Sequence, residues 1–175
     1  MMAPLIAESG VEFGPFEEER LFRIEHSEVH KRAGKGIKAV EFVYLTKKAN
    51  LLFVEAKTSC PNPENRDKDS DMRKKYEETY SEITDKFIDS LHMFAAMALG
   101  RYGEKPGAGQ LIRRTYSEIG IKFVLVITGA KEEWLMGPKA ELEARLLRVR
   151  NIWKADVIVL NKDMATRYGL IRDGE

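Results

Sequence analysis

The chain has 175 residues, 43% of them hydrophobic, enough for one ordinary domain with a proper core. Its 29 basic and 28 acidic residues nearly cancel, which excludes a global field drawing it to nucleic acid or membrane and leaves any polyanion partner to a local patch. The single cysteine, Cys60, has no disulfide partner and no Cys/His metal spacing around it, the N-terminal MMAPLIAESG has no signal-peptide pattern, and no run approaches a membrane span, so a soluble, cytoplasmic protein is expected.

Three consecutive strands are expected first, at RLFRIEHSEV (20–29), IKAVEFVYL (37–45) and LLFVEAKTS (51–59), all rich in β-branched and aromatic residues. The connections AGKG and TKKAN are short enough to make them an antiparallel meander. PNPENRDKDSDMRKK (61–75) reads as a mobile surface loop. From Met72 to Leu99 the apolar period becomes three or four, through Tyr76, Tyr80, Ile83, Phe87, Leu91 and Phe94, which predicts one long amphipathic helix. IKFVLVITG (121–129) is a strand buried on both faces. Leu142, Leu146, Val149 and Trp153 line a second helix with Pro138 in its first turn, and ADVIVL (155–160) is the last strand. The expected class is therefore α/β, a mixed β-sheet flanked by helices in the order βββαβαβ, within a single domain 1–175 whose core spans about 20–160.

Chemistry concentrates where the strand LLFVEAK ends. Side chains alternate faces along a strand, so Glu55 and Lys57 share a side, and unpartnered burial there is costly. Glu41 is the only acid in the preceding strand, where it is read as an interior position. If the hairpin pairs Leu45 with Leu51, Glu41 falls opposite Glu55, and two carboxylates converge with a lysine. Adjacent carboxylates repel unless a proton or cation lies between them, and oxygen ligands alone favour Mg²⁺ or Mn²⁺ over zinc. The acid-x-Lys string is weak in itself, since chance gives about 2.6 of them. Only Lys57, however, has an acid two residues upstream.

Glu41 in AVEFVYL and Glu55-Ala56-Lys57 in LLFVEAK, followed by a helix and a strand, resemble the PD-(D/E)XK or restriction-endonuclease-like nuclease superfamily over residues 20–128. The resemblance implies a restriction-endonuclease-like fold and a Mg²⁺- or Mn²⁺-dependent nuclease acting on DNA or RNA. Glu41 and Glu55 would hold the metal, and Lys57 would assist the attacking water and stabilise charge on the phosphate. The first acid is Glu rather than Asp and follows Val40 rather than Pro, the Gln-x-x-x-Tyr helix motif of one branch is absent (Gln110 is the sole glutamine), and Glu18 or Glu19 in PFEEER is the candidate for a further glutamate. The alternative is a non-catalytic binding or assembly module on the same scaffold, with a homodimer left open. A pocket gathering the three side chains supports the enzyme, and a broad apolar surface supports the module.

Other features have plainer readings. His26 and His30 are surface histidines in a strand-like context, and Tyr76, Tyr80 and Phe87 are core residues rather than base-stacking platforms. Lys86 flanks the helical stripe and can lean towards the site. Lys139, Arg145, Arg148, Arg150 and Lys154 make the second helix basic, with Arg113 and Arg114 in a loop, and a solvated face is favoured over a phosphate track. Gly103, Gly107 and Gly109 lack phosphate-loop spacing and read as flexibility.

Overall fold

The computed structural model describes residues 1–103, 108, 111–113 and 116–173. A hairpin comes first, β1 (Ile6–Glu8) and β2 (Val11–Phe13), joined by Ser9 and Gly10, both with positive φ. That conformation lets a two-residue turn follow the twist of its strands. Then follow β3 (Leu21–Phe22), helix α1 (Glu28–Ala33), β4 (Phe42–Leu45), β5 (Asn50–Lys57), helix α2 (Ser70–Ala98), β6 (Gly120–Ile127), helices α3 (Met136–Arg145) and α4 (Leu147–Trp153), β7 (Asp156–Leu160) and helix α5 (Lys162–Arg167).

The result is an α/β architecture around a mixed five-stranded sheet ordered β3-β4-β5-β6-β7. β3, β4 and β5 are antiparallel neighbours, and β6 and β7 continue the sheet parallel to β5, each after a helical crossover. Leu45 pairs with Leu51 as the hairpin argument requires, and Phe42 with Val54.

Several segments depart from the sequence reading. The first expected strand shrinks to Leu21–Phe22, because Ser27 accepts a hydrogen bond from His30 N–H at 3.2 Å and caps α1 in its place. The second begins only at Phe42, since α2 side chains take the amide hydrogens ahead of it. Lys38 N–H donates to Asp89 at 2.9 Å, and Val40 N–H to Ser90 Oγ at 2.9 Å. The expected loop 61–75 contains a 3₁₀ turn at Pro63–Asn65 and the first turns of α2, which is capped by Asp69 through a 2.8 Å bond from Met72 N–H. The single helix after Pro138 is two helices, broken at buried Leu146.

The sheet is covered on both faces. Val43, Leu45, Leu51, Phe53, Phe123 and Leu125 pack beneath α2 and α3, against Tyr76, Tyr80, Ile83, Phe87 and Leu142. Phe42, Leu52, Val54, Val124 and Val126 pack on the opposite face against Ile6, Phe13, Phe16 and Ala165. Strand alternation separates the two sets. The β1–β2 hairpin is tied to the end of the chain by Gly14 N–H to Leu170 O at 2.9 Å, and to the end of β6 by Thr128 Oγ1 to Ser9 O at 2.8 Å. It carries its acidic strand end to the same edge of the sheet as Lys57. No helix among the described residues is long and apolar enough to cross a membrane.

Candidate metal centre

The same alternation that buries Leu51 and Phe53 turns Glu55 and Lys57 towards α2. Glu55 has no solvent exposure at all, whereas Lys57, at the strand's last position, is 26% exposed. Glu41 stands immediately before β4 rather than within it, 7% exposed, and its N–H donates to Val54 O at 3.0 Å. The ladder therefore stops one pair short of the two glutamates, with Glu41 brought to the neighbourhood of Glu55 by the Leu45–Leu51 register.

Glu41 has closer carboxylate company than Glu55. Oxygens of Glu8, at the end of β1, Glu25, in the turn after β3, and Glu41 all lie within 4.8 Å of one another. Burial, a hydrogen bond with Glu25 and the charges of Glu55, Glu25 and Glu8 push the Glu41 carboxyl up to about 8. Burial and the neighbouring acids therefore favour its protonated form. Glu55 is not in that trio, but its charge contributes to the shift.

The Glu55 side is supplied with cations. Lys86 Nζ, 14% exposed on α2, donates to Glu55 Oε1 at 2.8 Å, and Lys57 Nζ lies 3.6 Å from the same oxygen. Lys57 in turn donates to Glu82 at 3.0 Å, and Glu82 is 3.9 Å from Lys86 one helical turn on. Burial raises Glu55, and the two lysines pull against it. Burial also works against the Lys86 ammonium, yet Glu55, Glu41 and Glu25 together hold its pKa above the ordinary value. Glu55 Oε2 is buried without a hydrogen-bond partner, a costly state for an anionic oxygen unless another cation meets it.

Two ammoniums thus meet Glu55, while Glu8, Glu25 and Glu41 gather beside it with oxygen the only donor that the trio offers. Oxygens on opposite sides of a Mg²⁺ ion lie about 4 Å apart, the scale on which the trio is gathered. The orphaned Oε2 and a carboxyl whose pKa is raised by burial and neighbouring acids both fit a divalent oxygen-ligated ion. Sequence reasoning assembled Glu41, Glu55 and Lys57 and noted Lys86. It missed Glu8, Glu25 and Glu82. Ser-Gly between the alternating IAE and VEF was the available signal for a hairpin ending in Glu8, whereas nothing local marks Glu25.

The remaining candidates are used otherwise. Glu18 and Glu19 are exposed on a 3₁₀ turn, outside the trio. His30 sits on α1 rather than in a strand. It accepts from His26 N–H at 3.1 Å and contacts Ile37 O through Nε2 at 2.8 Å, so both ring nitrogens hold the chain together. Tyr76, Tyr80 and Phe87 are fully buried. Arg145 is committed to Glu77 at 2.8 Å and Glu141 at 2.6 Å, and Lys139 faces Glu143 at 3.9 Å. Arg113 belongs to a 3₁₀ turn, Leu111–Arg113, while Arg114, Gly107, Gly109 and Gln110 lie outside the described residues. Comparison of the chain with protein-family models, with curated proteins and with solved structures found no match.

Proposed function

We propose that this protein is a divalent-metal-dependent nuclease that hydrolyses phosphodiester bonds of DNA or RNA, with a site of the PD-(D/E)XK kind. The observation that carries the reading is the gathering of Glu8, Glu25 and Glu41 within 4.8 Å beside a fully buried Glu55 with one unpartnered oxygen. Glu41 and Glu55, from the sequence pattern, would hold Mg²⁺ or Mn²⁺ together with Glu8 and Glu25. Such an ion, when bound, polarises a phosphoryl oxygen and makes its own water a better nucleophile.

The protein's own groups divide the remaining work. Lys86 neutralises one oxygen of Glu55 at 2.8 Å and leaves the other free to face a cation. Lys57 is the more exposed ammonium and is steered by Glu82 at 3.0 Å. It is the donor available to a phosphate oxygen on which charge accumulates. Burial of Glu55 and Glu41 keeps bulk water from the carboxylates and strengthens every charge interaction among them.

The test is cleavage of single-stranded and duplex DNA and of RNA in Mg²⁺ or Mn²⁺ by the parent chain and by Glu55→Ala. Metal-dependent cleavage that falls at least about a hundredfold in the variant is expected; cleavage left unchanged by the substitution would overturn the assignment. A second reading, a binding or assembly module, is favoured by one observation. An apolar cleft of about 240 Å³ opens between Phe94, Ala98, Ile121 and Trp153, with Leu99 80% exposed at its rim. Absence of turnover together with a concentration-dependent dimer in sedimentation would favour that module.

A further inference from the structure

The end of the sheet next to the acidic trio carries a groove that shares only Glu8 with the trio. Its walls are the tip of the β1–β2 hairpin and the chain around α5, and Glu8, Gly10, Glu12, Lys162 and Arg172 line it. A second groove shares Lys162 and Arg172 and runs on past Arg167. Each encloses about 480–500 Å³, within the range that small-ligand sites occupy. The walls are fixed by the fold: Thr128 Oγ1 holds Ser9 O at 2.8 Å, Gly14 N–H reaches Leu170 O at 2.9 Å, and Arg172 N–H reaches Glu12 O at 3.4 Å. The grooves lie beyond the carboxyl ends of parallel strands β6 and β7, the edge at which open α/β sheets take their ligands.

Three exposed cations stand in these walls without an ion pair to any described residue: Lys162, Arg167 and Arg172. The helix that looks basic in the sequence differs, since Arg145 and Lys139 are bound to its own and neighbouring acids. Glu8, Glu12, Glu132, Asp163 and Asp173 share the groove walls and outnumber the three cations, so a phosphate would be met there by individual side chains and not by a positive field. Glu8 belongs both to the carboxylate trio and to the first groove.

We infer that the groove from Glu8 past Lys162, Arg172 and Arg167 carries the sugar-phosphate backbone of a polynucleotide flanking the bond to be cut. The substrate is therefore a chain extending beyond the scissile phosphate rather than a mononucleotide or dinucleotide. This rests on reading the trio as a phosphodiesterase centre. Positively charged side chains position a strand through its phosphates without reading its sequence, so the contacts are expected to be indifferent to base identity. With three of them, the logarithm of affinity should fall with the logarithm of salt at a slope of about −2 to −3.

The test uses Glu55→Gln as background, to suppress cleavage, and measures fluorescence anisotropy of labelled 20-nucleotide single-stranded DNA, duplex DNA and single-stranded RNA in Mg²⁺. Adding Lys162→Gln, Arg167→Gln and Arg172→Gln together should weaken binding of at least one probe about tenfold or more and flatten the salt slope by about 2 to 3. Arg148→Gln with Lys154→Gln, two exposed α4-side cations, should leave both unchanged. Hydrolysis of bis(4-nitrophenyl) phosphate by the otherwise unaltered chain should survive the groove substitutions, and thermal melts should show that all variants fold. Equal binding after the triple change, loss from the α4-side pair instead, or no binding of any polynucleotide would overturn the groove. Small-diester hydrolysis without polynucleotide binding would sink the groove and keep the hydrolase reading; groove-dependent binding without hydrolysis of any substrate would keep the groove and sink that reading.

Discussion

Glu55 on β5 and Glu41 just ahead of the neighbouring β4 are both buried, yet the first is met by an ammonium at 2.8 Å and the second by the carboxyl groups of Glu25 and Glu8. The β5–α2 side is an ion network that is nearly complete within the protein. Lys86 and Lys57 answer Glu55, Glu82 answers Lys57, and only Glu55 Oε2 is left over. On the hairpin side, acids are gathered with no lysine or arginine among the described residues within ion-pair distance of Glu8, Glu25 or Glu41, and their proximity favours a proton on Glu41. The contrast separates a half of the site whose charges are paired from a half in which carboxylates face one another, as the proposed metal centre requires.

Breaking the satisfied half should have the largest effect on stability. Lys86→Met leaves the fully buried Glu55 without its nearest cation, and removing one partner of a buried pair costs about 3–5 kcal/mol. Chemical denaturation should register that loss, and adding Glu55→Gln should recover a substantial part of it, because the orphaned charge is gone. A loss below about 1 kcal/mol would place Lys86 with ordinary surface pairs.

Relieving the unsatisfied half should act in the opposite direction. The Glu41 carboxyl is raised to about 8 in the folded chain against an ordinary 4.5. Folding therefore tightens its hold on a proton, and the stability this confers is complete below about pH 4.5 and is lost as pH rises through 8. Glu41→Gln has no such loss. The metal-free variant should melt above the parent at pH 8.5, by about 4–8 °C for ~2 kcal/mol in a chain of this length, with the gap closing towards pH 5. A gap independent of pH would show that Glu41 is not under carboxylate pressure.

The smallest effect is expected at the rim. Glu82 is 44% exposed, and its pairing with Lys57 holds its carboxyl below the usual range although burial alone would raise it. Glu82→Gln should cost less than about 1 kcal/mol of stability. In a metal-dependent cleavage assay it should lower kcat several-fold while leaving KM nearly unchanged, because it releases Lys57 without touching the carboxylate trio. A change confined to KM would instead place Glu82 in substrate binding.

The legible part of this site was the part written into one hairpin. A loop of odd length between Leu45 and Leu51 sets the register, and register with strand alternation brings Glu41, Glu55 and Lys57 to one neighbourhood. The long helix was equally plain from its period, and it delivers Lys86 and Glu82. Glu8 and Glu25 were hidden because their positions are tertiary. Glu8 reaches the site only because a three-residue strand folds back against the chain's last residues, and Glu25 only because Ser27 starts a helix where β-rich composition suggested a strand to 29. Glu41 was read inside a strand from the β-rich composition around it; it lies outside because the side chains of Asp89 and Ser90, 50 or so residues away, take its neighbours' amide hydrogens, and composition carries no trace of that.

The most direct measurement is calorimetric titration of the metal-free protein with Mn²⁺ at pH 6, 7 and 8, in buffers of different ionisation enthalpy, for the parent and for Glu41→Gln. Binding in the parent that strengthens as pH rises, with release of a proton at pH 7, and that collapses in Glu41→Gln, is the expected result. No heat of binding in the parent, or binding indifferent both to pH and to Glu41, would contradict the account.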